Sequence, residues 1–252
     1  MRVLPFASLL LAGTAAASPV MTFTYDTGPA YVAQNDGRYG ADGTRFGADD
    51  VGQQDNLARV ERATVELGLG RHRVIALYAP FELATRVTLA EPLTFRDTTF
   101  ATGTVLDHAY KFNGYRASYL YQLVRGKVGV ELGASLQIRD ADVAFSSADG
   151  LQRDDQSDIG FVPALKARVT YAPHPDCAWA MLEADGSSTF GLIGDVSGGL
   201  YDVGLTAGYP FRPDLDLYAT LRVIGGGAAV PDQEITNWAN FASASLGLRF
   251  RL

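Results

Sequence analysis

The stretch Lys127-Val-Gly-Val-Glu-Leu-Gly-Ala-Ser-Leu-Gln-Ile138 decides the fold. Its even positions are Val128, Val130, Leu132, Ala134, Leu136 and Ile138. Its odd positions are Gly129, Glu131, Gly133, Ser135 and Gln137, and Arg139 continues that set. A β-strand sends alternate side chains to opposite faces, so one face here is wholly apolar and the other is polar or small. Strands of soluble sandwiches commonly run about five or six residues, whereas a tilted strand needs about 9–11 to cross a bilayer. The length of this run favours the bilayer.

The same period recurs along the chain. Phe161, Pro163, Leu165, Ala167, Val169 and Tyr171 alternate with Ala164, Lys166, Arg168 and Thr170. Tyr201, Val203, Leu205, Ala207 and Tyr209 alternate with Asp202, Gly204, Thr206 and Gly208. Leu217, Ala219, Leu221 and Val223 alternate with Asp216, Tyr218, Thr220 and Arg222. Ile75, Leu77, Ala79, Phe81 and Leu83 alternate with Ala76, Tyr78, Pro80, Glu82 and Ala84. No segment carries a 3.6-residue stripe with caps. The pattern predicts ten strands, at 21–33, 57–69, 73–89, 103–123, 127–145, 160–172, 177–187, 199–209, 215–225 and 237–252. Eight or twelve also fit, because the first segment alternates poorly around Gly28-Pro29. Short connections near residues 70–72, 124–126, 172–176 and 210–213 alternate with long ones at 34–56, 91–103, 146–159, 189–199 and 225–236. Short periplasmic turns and long outer loops are the usual barrel layout. The predicted fold class is all-β: an antiparallel transmembrane up-and-down β-barrel forming one domain over residues 18–252. Pro80 and Pro163 fall inside predicted strands, where proline removes a ladder donor, so each marks a bulge or a misplaced boundary.

Composition narrows the function classes. The 252 residues include 27 Gly, 13 Phe and 12 Tyr, only 19% are charged, and the net charge is −7. That balance gives no electrostatic reason to bind nucleic acid. One cysteine and three dispersed histidines exclude a disulfide framework and a multi-Cys zinc site, and neither a metal nor a cofactor is expected. Residues 1–17 read as an export signal, with Arg2, a short apolar core from Val3 to Leu11, and small residues at Ala15-Ala16-Ala17. That core is too short to span a bilayer, and no later run reaches the 18 apolar residues of a membrane helix.

If the apolar faces meet lipid, the lumen holds Arg62, Glu66, Glu82, Arg86, Arg116, Glu131, Gln137, Arg139, Lys166, Arg168, Glu183, Asp185, Asp202, Asp216, Arg222, Arg249 and Arg251. Isolated buried charges cost several kcal/mol, so these are expected to interlock in pairs. A barrel of about ten strands then has a narrow pore or none. Inward glycines at Gly129, Gly133, Gly204 and Gly208 leave room for the long side chains, while Tyr115, Tyr119, Tyr121, Tyr171, Tyr201 and Tyr209 suit the headgroup level. No catalytic residues are assigned. Asp107-His108, near the outer end of its strand, is the weak candidate for rim chemistry. His72 and His174 have no serine beside them in sequence for an acyl hydrolase. The reading is therefore a non-enzymatic outer-membrane barrel, structural or a small-solute channel. The alternatives are a rim-active protease or lipid hydrolase and a soluble periplasmic β-barrel that binds a ligand.

The C-terminal run Ser245-Leu-Gly-Leu-Arg-Phe-Arg-Leu252 resembles the assembly signal of bacterial outer-membrane barrels. Gly247, Phe250 and Leu252 match its spacing, although the last residue of that pattern is usually Phe or Trp. Further pieces resemble an uncharacterised family of Gram-negative outer-membrane β-barrel proteins: Asn35-Asp36, Gly43-Thr-Arg-Phe46, Arg71-His72, Leu77-Tyr-Ala-Pro80, Phe95-Arg-Asp97, Tyr110-Lys-Phe-Asn-Gly-Tyr-Arg116, Ile138-Arg-Asp-Ala141 and Gly160-Phe-Val-Pro163. The resemblance implies a barrel in the outer membrane. Its expected partners are membrane lipid and, during insertion, the barrel-assembly machinery. It carries no activity, substrate or catalytic residue.

Overall fold

The computed structural model describes residues 19–189 and 195–252. The segment read as an export signal lies outside them. The strands are β1 Val20–Tyr39, β2 Leu57–Leu69, β3 His72–Ala79, β4 Glu82–Thr88, β5 Leu93–Phe95, β6 Thr98–Phe100, β7 Val105–Val124, β8 Val128–Ser147, β9 Arg153–Tyr171, β10 Trp179–Ser188, β11 Ser197–Arg212, β12 Leu215–Val230 and β13 Ile235–Arg251. A 3₁₀ turn, Pro231–Gln233, joins the last two. β5 and β6 form a separate hairpin. The others close in the order β3-β2-β1-β13-β12-β11-β10-β9-β8-β7-β4, and the β3–β7 pairing completes the ring. β3 and β4 pair with β7 in succession, from His72↔Tyr121 to Thr88↔Val105, so they are two halves of one wall and the barrel has ten walls. Closure matters because every backbone polar group in hydrocarbon needs an internal partner.

Three local features separate these strands from the periodic reading. Pro80 interrupts the wall expected at 73–89, and pairing resumes when Phe81 and Phe112 exchange backbone hydrogen bonds of 3.1 and 2.8 Å. In β1 the ladder to β13 shifts register between Val32 and Gln34. That bulge changes which residues face inward, from Ala30 and Val32 below it to Asn35 and Tyr39 above it. Several strands also outrun their expected ends: β8 continues to Ser147, β9 begins at Arg153 and β12 reaches Val230, so much of the expected loops at 146–159 and 225–236 is ladder.

The added length forms a second storey with its faces inverted. Along β8 the outward side chains are apolar up to Ile138, and the inward ones are Glu131, Ser135 and Gln137. Above Arg139 the outward face carries Asp140 and Asp142, while Val143 and Phe145 are buried inside. β7 changes at the same level. Arg116 and Ser118 point inward below, and Leu106, His108 and Tyr110 do so above. The lower storey is arranged for lipid outside. The upper one follows the rule of a water-soluble protein, with apolar groups inside and charges outside. The stacked rings of Tyr78 and Tyr115, 5.0 Å apart, mark the boundary on the exterior.

This inversion corrects two lumen assignments. Glu82, expected in the lumen, is exposed on the outer face of β4, whose buried residues are Leu83 and Thr85. Arg86 also points outward, and its guanidinium is bound to Asp107. The wall containing them was read with Ile75, Leu77, Phe81 and Leu83 toward lipid. Instead Ile75, Phe81 and Leu83 are buried inside, and Val74 and Tyr78 are on the exterior.

A cap closes the outer mouth. The loop at 40–56 folds inward and buries Phe46, Ala48, Val51 and Gln53, and the β5–β6 hairpin adds Leu93, Phe95 and Phe100. Their rings meet around Phe145, with centroids 5.2 Å from Phe46 and 4.8 Å from Phe95. Full burial of each such side chain contributes about 1.5–3 kcal/mol.

Candidate functional site

The lumen of the lower storey is braced by ion pairs. Asp202 of β11 is fully buried and accepts from Arg116 of β7 at 2.9 Å, from Arg62 of β2 at 3.4 Å and from Arg222 of β12. Arg116 also donates to Asp185 of β10 at 2.8 Å and to the side-chain carbonyl of Gln137. Lys166 of β9 joins Asp185 at 2.8 Å to Glu183 at 3.1 Å. Arg168 extends the chain to Glu183 at 3.0 Å, to Glu66 at 2.8 Å and to Glu131 at 3.3 Å. Arg73 lies 3.5 Å from both Glu66 and Glu131.

These contacts cross the barrel as well as joining neighbours. In the ring order, β2 is four walls from both β9 and β11, and β7 is four walls from β11. The pairs Arg168–Glu66, Arg62–Asp202 and Arg116–Asp202 therefore span the lumen. Six bases (Arg62, Arg73, Arg116, Lys166, Arg168 and Arg222) meet five acids (Glu66, Glu131, Glu183, Asp185 and Asp202) in this network. Asp26 lies in the same layer, buried and accepting from the Tyr218 hydroxyl at 3.0 Å. Mutual proximity offsets the desolvation each charge would suffer alone. Glycine makes the room for it, since a Cβ at Gly204 would stand 2.6 Å from the Arg222 guanidinium.

The remaining expected residues sit elsewhere. Asp216, Arg249 and Arg251 form their own cluster at the periplasmic end, with Arg251 2.6 Å from the carboxylate and the Arg249 guanidinium 3.8 Å from the ring of Trp179. Arg139 faces inward in the upper storey and pairs with Asp158. Gly247 gives space to the Tyr218 ring, while Phe250 and Leu252 lie on the exterior. Arg73 and Asp26 were missed by the sequence reading. The register error in β3 concealed the first, and the second lies in the irregular β1.

Asp107 and His108 do not converge. Neighbours on a strand point to opposite faces. Asp107 is outside, donated to by Arg86 Nη2 at 2.7 Å, and this pairing holds its carboxyl below the ordinary range. His108 is inside the cap, 4.7 Å from the Phe145 ring centroid, and burial pushes its pKa down to about 4. Its Nδ1 lies 3.4 Å from Gln53 Nε2, and Asn35 donates to Gln53 Oε1 at 3.0 Å. No cluster of three or more potential metal ligands occurs among the described residues.

The braced layer divides the interior. Toward the periplasm lies a polar vestibule of about 690 Å³, bordered by Glu66, Arg73, Glu131 and Arg168. On the outer side is a cavity of about 420 Å³ walled by Phe81, Tyr110, Phe112, Val143 and Phe241. Asp26, Arg62, Arg116 and Arg222 border both spaces.

No family model matches the chain, and no curated protein matches it in sequence. Solved structures do. The outer-membrane protease OmpT of Escherichia coli is similar over 96% of this chain and 99% of its own, with 10% identity and a TM-score of 0.51. Ail, the attachment invasion locus protein of Yersinia pestis, solved with sucrose octasulfate, covers 92% of this chain and 99% of its own at 13% identity and a TM-score of 0.41. The transport unit of the autotransporter AIDA-I of E. coli covers 97% and 93% at 11% identity and a TM-score of 0.39. The likeness to OmpT shows the fold alone. Fold and lipid-suited exterior together define the class as an integral outer-membrane β-barrel.

Proposed function

We propose that this protein is a non-enzymatic outer-membrane barrel with a sealed lumen, a structural wall element that admits no free flow of solutes. The observation that carries this reading is the ion network whose Arg62–Asp202, Arg116–Asp202 and Arg168–Glu66 pairs span the interior. Moving one partner aside leaves a buried charge unpaired, at a cost of about 3–5 kcal/mol. The separation of Asp107 from His108 onto opposite faces weighs against rim catalysis by that pair. In this reading the partners are the lipids around the apolar belt and, during insertion, the assembly machinery that recognises Gly247, Phe250 and Leu252.

Planar-bilayer recording of the purified barrel tests it. The wild type is expected to be silent, and Arg116→Ala combined with Arg62→Ala is expected to open a steady conductance. Steady conductance in the wild type would contradict the sealed lumen.

A further inference from the structure

The outer chamber lies between two closures. Below it is the ion network and above it is the cap; Tyr39 of β1 and Tyr110 of β7, which pack in the same cluster as the cap, also line the chamber. Its volume of about 420 Å³ falls within the range of small-molecule pockets, about 300–1,000 Å³, and such sites combine apolar walls with a few placed polar groups. The polar groups here include Arg139 and Arg222. The Nε of each is buried and has no hydrogen-bond partner among the described residues.

Among the described residues the side wall is incomplete at this level. The β9–β10 ladder runs from Tyr171↔Ala180 to Leu165↔Gly186 and stops. Ser187 and Ser188 continue β10 but pair with β11, while β9 continues along β8 to Arg153. The two strands therefore part beside Ala164 and Pro163, and proline has no donor to extend the ladder. A cleft occupies the parting, bordered by Pro163, Leu165, Gly186 and Leu200. Pro163, Ser187, Gly199 and Leu200 border the chamber as well, so cleft and chamber share a wall. The outward side chains here, Leu165 and Phe161, are apolar and exposed. Ile138, the last large apolar outward residue of β8, pairs with Phe161, so the parting opens at the outer edge of the lipid-facing belt.

We propose that the chamber is a binding site for an apolar small molecule carrying an acceptor oxygen, reached sideways from the outer leaflet through the parting of β9 and β10. The aromatic and aliphatic walls take the apolar body. The free Nε–H of Arg139 meets the oxygen. The charge layer and the cap leave the bilayer as the direct route for a molecule that already partitions into lipid. The chamber lies outside the charge layer, so a conducting wild-type barrel would overturn the sealed lumen and leave this proposal standing.

The test is a fluorine NMR titration of 4-fluorobenzophenone, an aromatic ketone, into the barrel in lipid nanodiscs. A bound resonance saturating at one probe per barrel is expected, with proton contacts to the methyl groups of Val143 and Ile235. Ala141→Trp, which fills the chamber, should remove that resonance. Gly186→Trp should slow exchange at least fivefold and leave occupancy unchanged, because the residue faces lipid at the cleft, where an added Cβ has space. Partition that never saturates, or a bound resonance that persists in Ala141→Trp, would overturn the site. Unchanged exchange in Gly186→Trp would overturn the lateral route. Should Ala141→Trp not fold, the methyl contacts decide in the wild type: their absence overturns the site.

Discussion

Asp202 concentrates the electrostatics of the molecule in one carboxylate. It is fully buried and serves three guanidiniums from three different walls. Asp202→Ala is expected to destabilise the barrel by about 3–5 kcal/mol, since it strands buried positive charge. Urea unfolding from lipid vesicles measures this. Arg59→Ala, which removes an exposed pair with Glu61, should leave the midpoint unchanged. His108 makes a prediction of opposite character. Its folded pKa is depressed to about 4 by burial, below the unfolded value of about 6.5. The folded state thus binds fewer protons, and the contribution to stability is present above the unfolded pKa. It is lost as pH falls from about 6.5 through 4. Gln53 and Thr85, the polar side chains beside the ring, are uncharged and offer an imidazolium no compensating anion. The hydrogen-exchange protection factors of residues 46–53, which are corrected for the intrinsic pH dependence of exchange, should therefore fall between pH 7 and pH 4.5. His108→Gln should flatten that dependence, and an equally steep profile in the variant would assign the effect to another group.

At the scale of single elements, β8 explains both how much of the fold was legible and why some was not. From Val128 to Ile138 its apolar face, its length and its inward Glu131 follow from period two alone. The same logic placed Arg116, Lys166, Arg168, Asp202 and Arg222 in the lumen. It failed on Glu82 because alternation identifies two faces without saying which meets lipid, and in β4 the apolar face is the inner one. The bulge at Val32–Gln34 was hidden for a different reason: it inserts a residue that resets the period, whereas the break at Pro80, marked in the sequence by its proline, keeps the same face inward on both sides. The outer chamber was not legible at all, since it arises where β9 and β10 part, and only the ladder shows that. The two storeys make a paired prediction for β8. Leu132→Arg is expected to cost about 2–4 kcal/mol, as arginine does on the lipid face at mid-bilayer. Asp142→Arg, on the same side of the strand in the upper storey, should cost little. Equal unfolding penalties for the two would remove the distinction between storeys.

The whole molecule is one closed cylinder that changes solvent part-way along its length. Its lower part turns aliphatic groups outward and charges inward. Its upper part does the reverse under an aromatic cap. Both halves belong to the same ring of ten walls, so the inversion is a property of side chains and not of topology. The most direct test is a nitroxide scan of β8 from residue 128 to 146 in lipid vesicles, reading collision with oxygen and with a water-soluble nickel complex. Oxygen maxima are expected at even positions up to 138, then nickel access at 140 and 142, with 143 and 145 shielded from both reagents. Nickel access at even positions along the whole strand would contradict this arrangement, as would oxygen maxima at Glu131 and Ser135.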